Sequence, residues 1–171
     1  MWQLVTNMNK YLIITFLFIL CGCSTSRNNL KLIGVSNVTK QQYLIAPKKY
    51  KTIETSYGDP SRANQGALNE YGNIFYKIMF ESTIDLNEKQ ANVVGVVPEI
   101  WECGSGRKFG WGYIYTISRK RYFTFLPAQQ FYGIDKHDFI NNPQDLCFFI
   151  KQISMLGDKI SNTIRIGKEL L

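Results

Sequence analysis

Few side chains in this sequence could do chemistry, and they fall into a small number of groups. The 171 residues contain four cysteines and a single histidine. Cys21 and Cys23 end an apolar leader, whereas Cys103 and Cys147 lie in the body of the chain. Acid–base catalysis and metal binding each need several side chains that converge on one point. A chain with a single histidine, His137, therefore offers few candidate residues for either.

His137 lies between two carboxylates in the stretch Asp135-Lys136-His137-Asp138. A serine hydrolase would need a serine that converges on this pair, and the chain has no Gly-x-Ser-x-Gly motif. A metal site would need two or three further ligands at a suitable spacing, which the sequence does not offer. The stretch therefore predicts a polar turn, and we expect no catalytic residue, no metal and no cofactor.

Two other stretches suggest reaction sites at first sight. Glu99 and Glu102 near Trp101 suggest a glycosidase pair, but side chains three apart on a strand point to opposite faces. The glycine-rich stretch 103–112 suggests a phosphate-binding loop, but such a loop needs a helix directly after its glycines. An alternating Trp/Tyr pattern follows instead, which predicts turns with positive φ at the entrance to a hairpin.

The amino-terminal leader predicts export. Lys10 is followed by ten apolar residues, 11–20, which match the hydrophobic core of a secretion signal. A transmembrane helix would need about 20 such residues, so a retained span is the weaker interpretation. No basic residue precedes Lys10, whereas a start at Met8 would give a compact basic segment, so translation from Met1 and from Met8 both remain open.

The end of this leader resembles the lipobox of bacterial lipoproteins. Leu20, Cys21 and Gly22 occupy the places before the acceptor, Cys23. The resemblance implies cleavage after residue 22, diacylglycerol on the Cys23 thiol and acylation of the new amino terminus, which together form a stable anchor. An ordinary cleaved leader with an incidental cysteine is the alternative. Ser24 replaces the Asp that retains enteric lipoproteins in the inner membrane, which points to the outer membrane, facing the periplasm.

The rest of the chain is predicted to form a tether and one domain. Residues 23–29 after the cleavage site are small and polar and suit a lipidated tether. Residues 30–171 are too few for two domains of ordinary size, so we expect a single β-rich periplasmic domain. Hydrophobic residues make up 45% of the chain and charged residues 19%, which indicates a packed core.

Export also decides how the remaining cysteines are interpreted. Cys103 and Cys147 are the only pair left in an oxidising compartment, which predicts a disulfide between them. The alternative, a nucleophilic cysteine with His137 as base, must leave one cysteine free and find an orienting group.

The charge of the exported chain is positive and suggests an anionic partner. One of the 20 Lys and Arg residues is lost with the leader, so 19 basic residues remain against 13 acidic ones. Such a domain can meet anionic lipid, lipopolysaccharide, peptidoglycan carboxylates or an acidic protein. We expect no nucleic acid partner, because the predicted compartment holds none. Solubility alone is the alternative explanation of the charge.

The most suggestive surface feature is the predicted hairpin tip Ser118-Arg119-Lys120-Arg121. Its basic residues, with Tyr115 and Tyr122 beside them, are a predicted partner-binding surface, because guanidinium groups bind carboxylates and phosphates through charge-assisted hydrogen bonds. Charged tips also protect strand edges from aggregation, which is the alternative.

The elements that must position these residues are predicted to be strands. Alternating apolar residues predict strands at 73–84 and 146–153, and a hairpin over 111–126. Residues 92–102 are apolar on both faces, with Pro98 indicating a bulge or two short strands. Ile160, Ile164 and Ile166 mark the last strand. The helix signals are weaker, at 59–71 and as a single turn at 135–140.

This pattern predicts a mainly β fold, an antiparallel β-sandwich with at most one short helix, whose last two strands resemble the final hairpin of immunoglobulin-like modules. A small antiparallel barrel is the rival architecture. The functional expectation is a lipid-anchored envelope protein with a non-catalytic binding role towards a protein or a cell-wall component. The alternatives are an immunity protein or inhibitor against a cell-wall-targeting toxin or lysozyme-like enzyme and, less favoured, an envelope hydrolase.

Overall fold

The structure of the chain is a computed structural model, which describes 28–53, 70–88, 92–131 and 136–171. The predicted lipid acceptor Cys23, residues 59–69 of the predicted helix, and Asp135 lie outside these ranges. The elements in chain order are β1 (Leu30–Thr39), α1 (Lys40–Lys49), β2 (Ile74–Ser82), β3 (Val93–Glu102), β4 (Lys108–Trp111), β5 (Tyr115–Ser118), β6 (Arg121–Pro127), β7 (Gln129–Gln130), β8 (His137–Asp138), β9 (Leu146–Ser154), β10 (Lys159–Ile160), β11 (Ile164–Ile166) and a 3-10 helix (Lys168–Leu170).

These strands form two main antiparallel sheets, as the alternating sequence patterns predict. The first sheet has the order β1-β2-β6-β5. The second has the order β10-β9-β3-β4, and β11 pairs with the same side of β9 as β10. Strands β7 and β8 form a separate pair. The mainly antiparallel β architecture is therefore confirmed, and it is consistent with a β-sandwich.

The core lies between the two sheets and is built from alternate residues of each strand. On β2, Tyr76, Ile78 and Phe80 are buried in this core, and on β9 Phe148 and Ile150 are buried opposite them. Period-two burial of this kind removes one face of each strand from water and so holds the sheets together.

The outer face of the first sheet is covered by α1, an element that we did not predict. Thr39 caps the helix, because its hydroxyl accepts from the Gln42 amide while the Gln42 side chain accepts from the Thr39 amide. Pro47 lies inside the helix and has no N–H to donate to the Tyr43 carbonyl, so the helix forms with one backbone hydrogen bond fewer. Tyr43 and Ala46 pack onto the sheet, and the Tyr43 ring stacks on Phe75 at 4.4 Å between centroids.

The predicted hairpin over 111–126 is correct only from residue 115 onward. Strand β4, which ends at Trp111, pairs with β3 and so belongs to the second sheet. The chain then crosses to the first sheet at Gly112, where a Cβ would come within 3.3 Å of the Thr124 Oγ1 atom. The alternating aromatic residues thus run from β4 into β5, although these two strands belong to different sheets.

Strand β3 is continuous through Pro98, although the sequence suggested a bulge or a break there. Pro98 pairs with Ile150 of β9, and β4 pairs with β3 only from Glu99 onward. A proline in a strand is tolerated where the missing N–H faces a side without a partner strand. A bulge does occur in β3, at Val94.

Residues near the carboxyl terminus and near His137 differ in detail from the sequence expectations. The even spacing of Ile160, Ile164 and Ile166 arises from two short strands, not one, and both pair with β9. The single helical turn predicted over 135–140 is wrong at 137–138, which form strand β8.

Candidate functional site

The predicted basic tip is a two-residue turn between β5 and β6. Ser118 pairs with Arg121, and Lys120 has a φ of 62°. The Lys120 carbonyl accepts from the Ser82 amide at 3.0 Å, which fixes the turn against the end of β2. The Arg119 side chain is 78% exposed, so the tip projects into solvent.

Acidic neighbours offset much of the charge of this tip. The Arg121 Nε atom donates to Glu81 Oε1 at 2.7 Å. Arg119 lies 3.8 Å from a carboxylate oxygen of both Asp85 and Glu88. Two of the three basic side chains therefore have partners within the protein, which reduces the attraction that the tip exerts on an external anion.

The two tyrosines that we predicted beside the tip are not on the surface. Tyr115 and Tyr122 are both buried, Tyr115 under α1 and Tyr122 between the sheets. Their assignment to a partner-binding surface is therefore wrong. A strand places successive side chains on opposite faces, and both faces of the first sheet are covered.

The Tyr122 hydroxyl instead holds the loop between β2 and β3. It donates to Asp85 Oδ1 at 2.7 Å and accepts from the Leu86 amide at 2.8 Å. Burial raises the pKa of Tyr122 to about 12, and the hydrogen bond to Asp85 adds to this rise. The same hydroxyl lowers the pKa of Asp85, with help from the Asn87 amide. The pair is thus a neutral phenol that donates to an ionised carboxylate.

Tyr115 belongs to an aromatic cluster on the outer face of the first sheet. Its ring stacks on Phe123 at 5.1 Å, and Phe125 lies edge-on at 5.6 Å. Burial is also the main cause that raises the pKa of Tyr43 to about 12 and that of Tyr115 further. This cluster packs α1 onto the sheet and so has a structural role.

The residues around His137 do not form a catalytic dyad. The His137 Nε2 atom lies 2.9 Å from the Pro127 carbonyl oxygen, and its ring packs on Phe139 at 4.5 Å. Asp138 accepts from the side chain of Asn141 at 2.7 Å, and this bond is the main cause that lowers its pKa. The two side chains are therefore occupied by different structural partners.

Glu99 and Glu102 also have separate partners. Glu99 is nearly buried; it accepts from the Trp101 indole N–H at 3.0 Å and lies 3.3 Å from the Lys108 ammonium. Glu102 accepts from the Ser105 hydroxyl at 2.6 Å. This arrangement agrees with the expectation that the two carboxylates do not act on one bond.

The glycine-rich stretch and the cysteines behave as predicted. Gly104 and Gly106 have positive φ angles of 96° and 71° in the turn between β3 and β4, a conformation that glycine adopts without strain. Cys103 and Cys147 form a disulfide, with Cα atoms 5.1 Å apart. Neither cysteine retains a free thiol that could act as a nucleophile.

A groove that the sequence did not predict lies at one edge of the sandwich. One wall is the segment 51–53, which continues the first sheet beside β5 through hydrogen bonds from Ile53 to Ile114 and from Thr116 to Lys51. The other wall is 93–96 of β3, and 86–88 form one end. The groove holds about 200 Å³, which is smaller than typical clefts for small-molecule ligands.

Along this groove, strand β3 has a partner strand on one side only in the described part of the chain, and we call its other side the open edge. It pairs with β9 on one side along its whole length, but with β4 only at 99–101. In the described part of the chain, no strand covers 93–98 on the side facing away from β9. Every second residue of such a stretch directs its N–H and C=O groups towards the open side. Pro98 was the one sequence signal that could have identified this edge.

No protein-family model, curated protein or solved structure matches this chain. Within the described ranges there is no group of three His, Cys, Asp or Glu side chains placed to bind a metal ion. The same ranges contain no helix of the length and apolarity that a membrane span requires.

Proposed function

We propose that this protein is a lipid-anchored envelope protein that acts by binding and has no catalytic activity. The anchor is the predicted diacylglycerol on Cys23, which would hold the domain at the outer membrane on the periplasmic side. The binding site is the groove, and its occupant is an extended segment of a partner protein that pairs with the open edge of β3.

The open edge of β3 is the observation that carries this proposal. An unpaired strand edge offers a row of backbone donors and acceptors, and peptides bind such edges by adding one more strand. The groove beside 93–96 supplies space for the side chains of that added strand.

The ends of the open edge limit what can bind. The bulge at Val94 and the missing N–H of Pro98 interrupt regular pairing at either end. Features of this kind normally protect sheet edges from indiscriminate association. Val93 and Val94 are the accessible residues of this edge, because 95–97 are buried, so a short segment fits it better than a long strand does.

The groove also has charges that can orient a peptide. Lys51 lies on one wall and Glu88 at the end. A peptide with an acidic side chain near Lys51 would have a complementary charge there, whereas the charge of Glu88 is already offset by Arg119 at 3.8 Å, and this difference favours one direction of binding.

The non-catalytic role is supported by how the reactive side chains are used. His137 and Asp138 have separate partners, and Cys103 is bonded to Cys147. A hydrolase would need a nucleophile or an activated water held by converging groups, which these residues do not supply.

Site-specific photocrosslinking in cells tests this proposal. A photoreactive amino acid at Lys51, in the groove wall, should capture a partner protein. The same amino acid at Lys48, which is exposed on α1 outside the groove, is the matched control and should not.

A second pair of variants tests the strand edge itself. Val94 and Ile33 are both bulge residues, on β3 and β1, with exposures of 54% and 48%. Val94→Asp should reduce the crosslinked yield, because it places a charge on the pairing edge, whereas Ile33→Asp should leave it unchanged. Equal yields from the two variants would refute the assignment of the partner to this edge.

A further inference from the structure

Four segments of the fold meet at the end of the sheets where the chain enters, which we call the entry end. In the first sheet, β1 starts at Leu30 beside Ser82, the last residue of β2. The turn between β5 and β6 lies at the same end, because the Ser82 amide donates to the Lys120 carbonyl. The incoming chain is held from Asn28 onward, where its side chain accepts from the Ser82 hydroxyl at 2.9 Å.

The second sheet contributes the turn between β9 and β10 to the entry end. Residues 86–88, which follow β2, lie across the groove from Val93, the first residue of β3, and Val93 pairs with Ser154 at the end of β9. The Met155 amide then donates to the Asn92 carbonyl at 3.2 Å. The turn that follows β9 therefore lies beside Asn92 and near 86–88, on the same side as the end of β2.

This turn exposes two adjacent apolar side chains. Met155 and Leu156 are 81% and 84% exposed, the highest values among the large hydrophobic side chains of the described residues. Gly157, with a φ of 114°, completes a tight turn that presents them together. Single exposed apolar residues are common on proteins, but an adjacent pair at a projecting tip is typical of an interaction surface.

Basic residues accompany the apolar pair at the entry end. Lys31 near the start of β1, Lys120 in the basic turn and Lys159 in β10 are exposed. In the described part of the chain, none of the three forms an ion pair. Each lysine close to an anionic lipid surface strengthens binding by about fivefold at moderate salt.

We infer that the entry end rests on an anionic bilayer, with Met155 and Leu156 inserted among the lipid headgroups. The inference builds on the proposed function, because it places the anchor at Cys23. Only four residues separate Cys23 from Asn28, and the five steps along the chain span at most about 18 Å when fully extended. The tether therefore lets the entry end touch the anchored leaflet. A surface of the domain that lies much farther from Asn28 could not touch it.

The two proposed contacts use different surfaces. The bilayer would contact the turn that follows β9, whereas the peptide would lie in the groove beside the start of β3. A bilayer contact of this kind would hold the sandwich upright and leave the groove open to the side. The anchor alone, joined through a flexible tether, would not fix this orientation.

Fluorescence quenching by brominated lipid tests the contact. The full-length protein, processed by cells and purified, is incorporated into vesicles of brominated phosphatidylcholine and phosphatidylglycerol. Leu156→Trp should be quenched relative to the same protein in vesicles without bromine. Ile140→Trp, at a half-exposed site in the turn after β8, is the matched control and should show no quenching beyond that of the native tryptophans.

A second variant keeps the test independent of one substitution. Met155→Trp should give the same quenching as Leu156→Trp. In the Leu156→Trp background, Met155→Asp should weaken the contact by about tenfold, because burial of one such side chain contributes a factor of that size. Raising the salt concentration should weaken quenching as the lysine contribution is screened.

The outcomes separate this inference from the proposed anchor. Palmitate labelling of the same preparation reports the anchor directly. Labelled protein with no excess quenching at residue 155 or 156 would overturn the inference and leave the anchor standing. If the protein proves to be unlabelled, it is mixed with the vesicles and the same contact is measured. Quenching of the tryptophan at residue 156 then supports the inference, and the absence of quenching overturns it.

Discussion

The Tyr122 hydroxyl is the one side-chain group whose removal should most clearly destabilise the fold without changing its shape. It lies fully buried, donates to Asp85 at 2.7 Å and accepts from the Leu86 amide at 2.8 Å. Tyr122→Phe keeps the ring in place and removes both hydrogen bonds. We expect the variant to fold and to lose stability.

The expected loss follows from the charge state of the partners. A hydrogen bond to a charged group contributes about 1.5–3 kcal/mol, and leaving a buried amide without a partner costs about 1–3 kcal/mol. Taken near the lower ends of these ranges, the two contributions predict a total loss of about 3 kcal/mol in the free energy of unfolding. For a domain of this size that corresponds to a fall in the melting temperature of about 6–12 °C.

Urea unfolding followed by tryptophan fluorescence, with the disulfide intact, measures this loss. The matched control is Tyr115→Phe, a buried tyrosine on the neighbouring strand whose hydroxyl has no carboxylate partner in the described chain. It should cost less than about 1 kcal/mol. A similar loss in the two variants would mean that the hydrogen bond to Asp85 adds nothing to the stability that any buried tyrosine hydroxyl contributes.

The pH dependence of the loss provides an independent check. The hydrogen bond from Tyr122 lowers the pKa of Asp85, so its contribution is complete above the ordinary carboxyl pKa of 3.8 and declines as the pH falls below it. The pKa of Tyr122 is raised to about 12, so its contribution is complete below pH 10 and is lost as the pH rises towards 12. The difference between wild type and Tyr122→Phe should therefore be largest near neutral pH. A difference that does not change between pH 7 and pH 3 would refute the assignment.

Three further predictions concern the anchor, the disulfide and the tip. Metabolic palmitate labelling should mark the wild type and not Cys23→Ser, and equal labelling of both would rule out the lipid at this position. Replacing Cys103 and Cys147 together by Ser should lower the free energy of unfolding by about 4 kcal/mol in chemical denaturation, because the closed loop restricts the unfolded chain; a change below about 1 kcal/mol would contradict that account. Changing residues 119–121 to Ser should change the melting temperature by less than about 3 °C, because exposed ion pairs contribute little to stability. A larger fall would show that the ion pair between Arg121 and Glu81 stabilises the fold.

Much of the secondary structure could be predicted because burial has a short period along a strand. Alternation at 73–84 and 146–153 predicted β2 and β9 to within two residues. The turn at 118–121 was predicted from its polarity between two such patterns. These features depend on neighbours in the sequence, so the sequence alone reports them.

The helix α1 was missed because its signals are local and weak. The capping box at Thr39 and Gln42 was present in the sequence, but Pro47 and the lack of a clear apolar stripe gave no helical pattern. The aromatic residues that hold α1 come from β2, β5 and β6, which are distant in sequence. Tertiary packing, not propensity, therefore accounts for this helix.

By itself, the sequence determined which residues alternate between two faces, where the chain turns, and which two cysteines were left to pair. Only the tertiary structure decided which faces are covered, and this excluded two tyrosines from the predicted partner-binding surface. Tyr115 and Tyr122 lie on opposite faces of one sheet, and both are buried because α1 covers one face and the second sheet covers the other. In the same way, the open edge of β3 exists because β4 pairs with it only from Glu99 onward. The physical reason is that periodicity depends on bonds along the chain, whereas burial and pairing depend on elements that meet only when the whole chain has folded.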